Sequence, residues 1–209
     1  MIEYASDPVR VGNVIIGGGN PIVVQTMCNT HTSDVGASFK QCMRLFQAGA
    51  QMIRLTVPSM AQVAHISEIR RRLREAGCDV PIVADVHFSS DIAIAVASEV
   101  DKVRINPGNF SKNFETAQFR FAELVRVCKT YGTAIRIGVN HGSLGERITE
   151  LYGNTAEGMK EAAMEWLRMC RENDFHNVVV SLKASNTCVM VEAYRLLVVA
   201  MIAEDMHYP

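Results

Sequence analysis

At 209 residues the chain is long enough for one domain with a substantial core and too short for two ordinary ones. Hydrophobic residues at 48% and charged residues at 21% exclude a disordered chain, and a formal net charge of −1 with dispersed Lys and Arg excludes general binding to nucleic acid or membrane surfaces. No apolar run approaches the roughly 20 residues of a membrane span, and the N-terminus MIEYASDPVRVG lacks a signal-peptide pattern, so a cytoplasmic protein is expected.

In chain order, VRVGNVIIGGGNPIVV reads as a β-hairpin. Its Gly-rich turn precedes the first β/α unit and opens no helix, which favours a hairpin plugging the bottom of a barrel over a phosphate loop. Strand patterns follow at 22–27, 51–57, 81–87, 101–107, 134–140 and 177–185. Between them lie amphipathic stretches. Asp34 is expected to cap a helix with Val35, Phe39, Met43 and Phe46 on one face, ended by Gly49. Ser59 is expected to cap a second, with Val63, Ile66 and Leu73 apolar, ended by Gly77. Further helices fit 89–99, 112–131, 155–173 and 187–204. Strands alternating with helices imply right-handed βαβ units and a parallel sheet.

The strand interiors decide between an open doubly wound sheet and a barrel. Ile53, Leu55 and Val57 oppose Arg54 and Thr56; Ile82, Ala84 and Val86 oppose Asp85 and His87. Val103 and Ile105 oppose Arg104 and Asn106; Ile135, Ile137 and Val139 oppose Arg136 and Asn140. Val178, Val180 and Leu182 oppose Ser181, Lys183 and Ser185. Five consecutive strands thus carry one apolar face for helices and one polar face for something else. A sheet with one face in water would show the same alternation, but helix-linked parallel strands are normally covered on both sides. The polar residues lie at C-terminal strand ends, where barrel enzymes build their sites. The expected fold class is α/β, a (β/α)8 TIM-type barrel with an N-terminal β-hairpin.

The inward row contains Arg54, Arg104, Arg136 and Lys183 against one carboxylate, Asp85. Four converging cations repel one another unless an anion joins them, and a small diphosphate meets that need. Asn106, Asn140 and Ser185 are suited to hydroxyl groups. Asp85 and His87 read equally as metal ligands or an acid/base pair, or as a hydroxyl-binding Asp beside an orienting His. His31 and His141 follow strands and are placed near the site, whereas His65 and His176 read as surface residues. Tyr, Phe and Trp fall mainly at helix positions and read as core.

The six cysteines, Cys28, Cys42, Cys78, Cys128, Cys170 and Cys188, are dispersed with no two within three residues. That spacing argues against a zinc ribbon or a local iron–sulfur motif, and they read as reduced and mostly structural. No metal site and no flavin or nicotinamide fingerprint is read in the chain.

The motifs VVQTMCNTHTSDV, IRLTVPSM, IVADVHF, DKVRINPGN, RIGVNHGSL and SLKASNT, in this order and spacing, resemble the hydroxymethylbutenyl diphosphate synthase family. The resemblance runs from about Val9 to Pro209. It implies an iron–sulfur oxidoreductase of the methylerythritol phosphate route to isoprenoids, which reductively opens methylerythritol cyclodiphosphate. It further implies that Arg54, Arg104, Arg136 and Lys183 hold the diphosphate while Asp85, Asn106 and Asn140 line the polyol, with His87 close by. The family carries a [4Fe–4S] cluster in a separate C-terminal domain, on a Cys-x-x-Cys pair, another Cys and a Glu, and takes electrons from reduced ferredoxin or flavodoxin. The full-length enzyme is expected to be a homodimer. Residues 1–209 contain no such cysteine pair and end at MHYP, where a seventh strand is due. The chain therefore reads as the N-terminal barrel domain truncated after about six strands, binding substrate but inactive alone, with no cluster of its own. A non-catalytic phosphate-binding barrel and a dihydropteroate-synthase-like barrel enzyme are the alternatives.

Overall fold

The computed structural model describes residues 4–209. A two-stranded antiparallel hairpin, β1 (Val9–Val11) and β2 (Val14–Ile16), precedes a six-stranded parallel sheet. That sheet runs in sequence order through β3 (Gln25–Met27), β4 (Met52–Thr56), β5 (Ile82–Asp85), β6 (Lys102–Ile105), β7 (Ala134–Asn140) and β8 (Val178–Lys183). Neighbouring strands are joined through α1 (Val35–Gln47), α2 (Ala61–Glu75), α3 (Ser90–Val96), α4 (Phe114–Tyr131) and the pair α5 (Glu146–Tyr152) and α6 (Ala156–Glu172). Helix α7 (Thr187–Ala203) follows β8. A sheet in strict sequence order with one helix layer is the winding of a barrel; six strands make an open portion of one.

The helices begin where short polar side chains supply the missing acceptors. Asp34 accepts from the Ala37 amide, Asn113 from Thr116, Thr155 from Gly158 and Asn186 from Cys188. Ser59 does not cap α2. That helix starts after Met60 with no side-chain cap, because the Ser59 hydroxyl turns to Gln62 instead. The first expected strand is also shorter than 22–27: Ile22 is 95% exposed and pairing begins only at Gln25.

The alternation holds throughout the sheet. Ile53, Leu55, Ile82, Ala84, Val103, Ile105, Ile135, Ile137, Val178, Val180 and Leu182 are buried against the helices in the main core, with Phe121, Leu124, Met159 and Trp166. A second, smaller core lies at the opposite end and face. It joins Val9 and Val11 of the hairpin to Met52, Val83, Ala134 and Val179 at the strand starts. The hairpin therefore seals the N-terminal end of the sheet's concave face. Burying these six apolar residues stabilises the seal at roughly 1.5–3 kcal/mol per large side chain. Beyond α7, Met206 and Tyr208 are buried, and the Val180 amide donates to the Pro209 carbonyl at 2.9 Å. Residue 209 thus lies on the free edge of β8. Among the described residues no helix is long and apolar enough to cross a membrane.

Candidate functional site: a cationic strand-end surface

The concave face carries three levels of side chains, set by the two-residue period of the strands. Level with the apolar seal, in register with Val83 and Ala134, is Lys102, which is 1% exposed and donates to Gln25 Oε1 at 3.2 Å. Burial, with Arg136 and Arg54 adding repulsion, pulls its pKa from 10.5 to about 7. Lys102 lies two residues before Arg104 on the same alternation, a signal that the inward row of Arg104 and Asn106 did not include.

The middle level is charged. Asp85, 2% exposed, places Oδ1 3.1 Å from Arg104 Nη1 and Oδ2 3.5 Å from Arg54 Nε. Arg104 also donates from Nη2 to the Gly138 carbonyl at 3.0 Å. Gly138 makes this pose possible, because a Cβ there would collide with the Arg104 guanidinium. Arg54 further contacts Met27 Sδ, at 3.1 Å from Nη2. Arg136 donates to Ser181 Oγ at 3.0 Å, and burial followed by the charge of Arg54 lowers its pKa. Among the described residues no carboxylate lies within ion-pair distance of Arg136, Lys102 or Lys183.

The rim is where the strands give way to loops. His87 Nε2 stands 3.7 Å from Asp85 Oδ2 with the ring partly exposed. Asn106 is buried, and both ends of its amide are engaged: Nδ2 donates to Ser143 Oγ at 3.1 Å and Oδ1 accepts from the Gly108 amide at 3.3 Å. The 3-10 turn Pro107–Asn109 and the loop after β7 pack backbone to backbone, since a Cβ on Gly108 would run into the Ser143 carbonyl. Asn140 is half-buried and pairs in register with Lys183. Lys183 and Ser185 are exposed, and among the described residues β8 has no strand on its far side.

The structure therefore gathers Arg54, Asp85, His87 and Arg104 into one contact network, sets Arg136 beside it, and leaves Lys183 and Ser185 at the open edge. Asn106 is held by the loop after β7, a partner that strand alternation has no means of showing. His141 binds the Asn154 carbonyl at 2.9 Å and thereby ties down the α5 loop, while His31 is exposed. A separate cleft of about 390 Å³, beside the Pro107–Asn109 turn, is lined by Lys112, Phe114, Arg147 and Trp166 and by none of the inward cations. Arg147 is already paired with Glu165 and stacked on Phe114, so that cleft has less unmatched charge.

The model of the GcpE TIM-barrel domain matches residues 6–209. The chain belongs to the GcpE family. It is 46% identical over 98% of its length to 4-hydroxy-3-methylbut-2-en-1-yl diphosphate synthase (flavodoxin) of Parabacteroides distasonis, and spans 36% of that protein. It is 46% identical over 96% of its length to the ferredoxin form from Synechococcus sp. strain CC9605, spanning 55%. The chloroplastic ferredoxin form of Arabidopsis thaliana is 42% identical, and the chain spans 29% of it. Between about a third and a half of these relatives' length is thus represented. Among solved structures, a dihydropteroate synthase of Burkholderia cenocepacia superposes with a TM-score of 0.66 at 13% identity, covering 93% of this chain and 71% of that one. A type I 3-dehydroquinate dehydratase of Clostridium difficile gives 0.62 at 16%, covering 98% and 79%. At that identity the likeness is one of barrel fold alone.

Proposed function

We propose that this chain is the substrate-binding barrel of a 4-hydroxy-3-methylbut-2-enyl diphosphate synthase, and that its strand-end surface holds 2-C-methyl-D-erythritol 2,4-cyclodiphosphate. The observation that carries this reading is charge imbalance: Arg54, Arg104, Arg136, Lys183 and the deeper Lys102 face one surface on which Asp85 is the ion-paired carboxylate. Arg136 and Lys183 take the ring diphosphate, joined by whichever donors of Arg54 and Arg104 are not committed to Asp85. Planar guanidinium groups hold phosphate oxygens in pairs, and an ammonium adds a compact charge. Asp85, Asn106, Asn140 and Ser185 line the polyol, and His87 orients a hydroxyl group or moves a proton at the rim. The names of the relatives favour the synthase over a dihydropteroate-synthase-like enzyme or a non-catalytic binder.

The family reaction is a reductive ring opening supplied with electrons through a [4Fe–4S] cluster. The residues present here do not fit that cluster. A cube needs about four ligands, chiefly thiolates, around one point. Among the described residues no three His, Cys, Asp or Glu side chains are grouped to hold a metal, and five of the six cysteines are buried in separate elements. We assign the cluster, and the docking of reduced flavodoxin or ferredoxin, to a region of the parent polypeptide outside residues 1–209; the homodimeric state of that parent is part of the same reading. The parent is an oxidoreductase on this account, and the barrel alone binds substrate without turning it over.

Calorimetric titration of the chain with the cyclodiphosphate tests the assignment. Arg104→Met is expected to weaken binding by roughly 1.5–3 kcal/mol, the scale of a charge-assisted hydrogen bond. Unchanged affinity would remove Arg104 from the site.

A further inference from the structure

Cys28 and Cys42 bring their sulfur atoms to 3.5 Å of each other. Cys28 directly follows β3, and its amide donates to the Arg54 carbonyl at 2.9 Å, so it is fixed to the strand that carries a candidate diphosphate ligand. Its side chain lies on the helix-facing side, opposite Met27, where it meets Cys42 in the middle of α1. We propose that Cys28 and Cys42 are a reversible disulfide site, oxidised by hydrogen peroxide, that ties the end of β3 to α1 behind the cationic surface.

The two thiols have unequal roles. Cys42 is fully buried, whereas Cys28 retains 7% exposure, so Cys28 is the thiol nearer to solvent. The hydrogen bond from Cys42 favours the Cys28 thiolate and lowers its pKa, and the same bond and burial raise that of Cys42. The Cys28 thiolate attacks the peroxide oxygen, takes one oxygen atom to become a sulfenic acid and, with a proton, releases water. The Cys42 thiol then displaces that hydroxyl as a second water, forming the S–S bond. Two thiols lose two hydrogens in all, and one hydrogen peroxide is reduced. Thiol reductants reverse the step.

The other cysteines lack this arrangement. Burial raises the thiols of Cys78, Cys128 and Cys170, and among the described residues none of these is hydrogen-bonded to another cysteine sulfur. Cys188 is exposed on α7. The crosslink would close the segment 28–42, including the loop in which Gln41 and Ser38 already bind the backbone of Asn29 and His31.

The test uses the 209-residue chain carrying Cys188→Ser, which prevents crosslinks between chains. After hydrogen peroxide treatment, the intact mass after blocking free thiols should show two fewer blocked cysteines, and peptide mapping should join the Cys28 and Cys42 peptides. Dithiothreitol should restore both thiols. In Cys42→Ala, Cys28 should instead be captured as a sulfenic acid by dimedone. Peptide mapping of the unmutated pair needs no variant to fold. Equal alkylation of Cys28 and Cys42 before and after oxidation, or a crosslink from Cys28 to Cys78, would overturn the assignment. This readout is independent of diphosphate binding, so its failure leaves the proposed substrate untouched, and the reverse holds too.

Discussion

The two halves of the charged surface balance themselves differently. On the β4–β6 side, Asp85 sits between Arg54 and Arg104 at 3.5 and 3.1 Å, and the Gly138 carbonyl takes a further Arg104 donor. On the β7–β8 side, Arg136 has a serine hydroxyl, and Lys183 stands in solvent at the free edge. The first half is largely satisfied by the protein itself. Among the described residues the cations of the second have no carboxylate within ion-pair distance. Under the proposed function, a bound diphosphate would contribute most on the β7–β8 side, supplying there the negative charge that Asp85 supplies on the other.

Asp85 is the residue whose loss the β4–β6 side should tolerate least. Replacing it with Ala leaves Arg104, 6% exposed, without its counter-charge, and should destabilise the fold by about 3–5 kcal/mol in urea denaturation. A loss under about 1 kcal/mol would show that solvent, not Asp85, balances that side.

Lys102 tests the floor beneath both halves. Its folded-state pKa of about 7 lies below the ordinary lysine value of 10.5, so between those values the unfolded chain binds the extra proton. The sign follows: charged Lys102 opposes folding fully below pH 7, and the penalty fades as pH rises towards 10.5. Lys102→Met should therefore stabilise the protein by about 2–4 kcal/mol at pH 6, with the gain shrinking towards pH 10. A gain independent of pH would mean that packing, not charge, is responsible.

The Arg136→Met variant sharpens the contrast with Arg104→Met. Both should weaken cyclodiphosphate binding by about 1.5–3 kcal/mol. Of the two, only Arg104→Met should also lower the unfolding free energy, because Arg104, unlike Arg136, is ion-paired with Asp85. Equal stability losses in the two variants would erase the proposed difference between the halves.

The smallest effect is expected at the edge. Lys183 is exposed, so Lys183→Met should cost binding about 0.5–1 kcal/mol and the fold almost nothing. A loss as large as that at Arg136 would show that binding draws Lys183 inward and buries it.

Much of this surface was legible beforehand because alternation along a strand is a local property. Arg54, Asp85, Arg104, Arg136 and Lys183 all occupy the face that the two-residue period assigns them. The hairpin was legible too, although it is shorter than 9–24: its turn is Gly12–Asn13, and the Gly-rich stretch 17–19 follows β2 instead of forming the turn. What escaped has a common cause. The role of Ser59 depended on where Gln62 turned its side chain, and the pose of Arg104 depended on a missing Cβ one strand away. Helix α5 is a single short element between glycines, below the length at which helical periodicity shows.

By itself the sequence determined the β/α order, the inward and outward faces and the excess of positive charge, because each is carried by spacing along one segment. Only the tertiary structure decided which cations are already neutralised, that Lys102 lies beneath them, and that Cys28 meets Cys42. Those outcomes depend on distances between segments far apart in the chain. A strand's period fixes the direction of a side chain, but the register with its neighbours and the packing of the helix behind it fix what it touches.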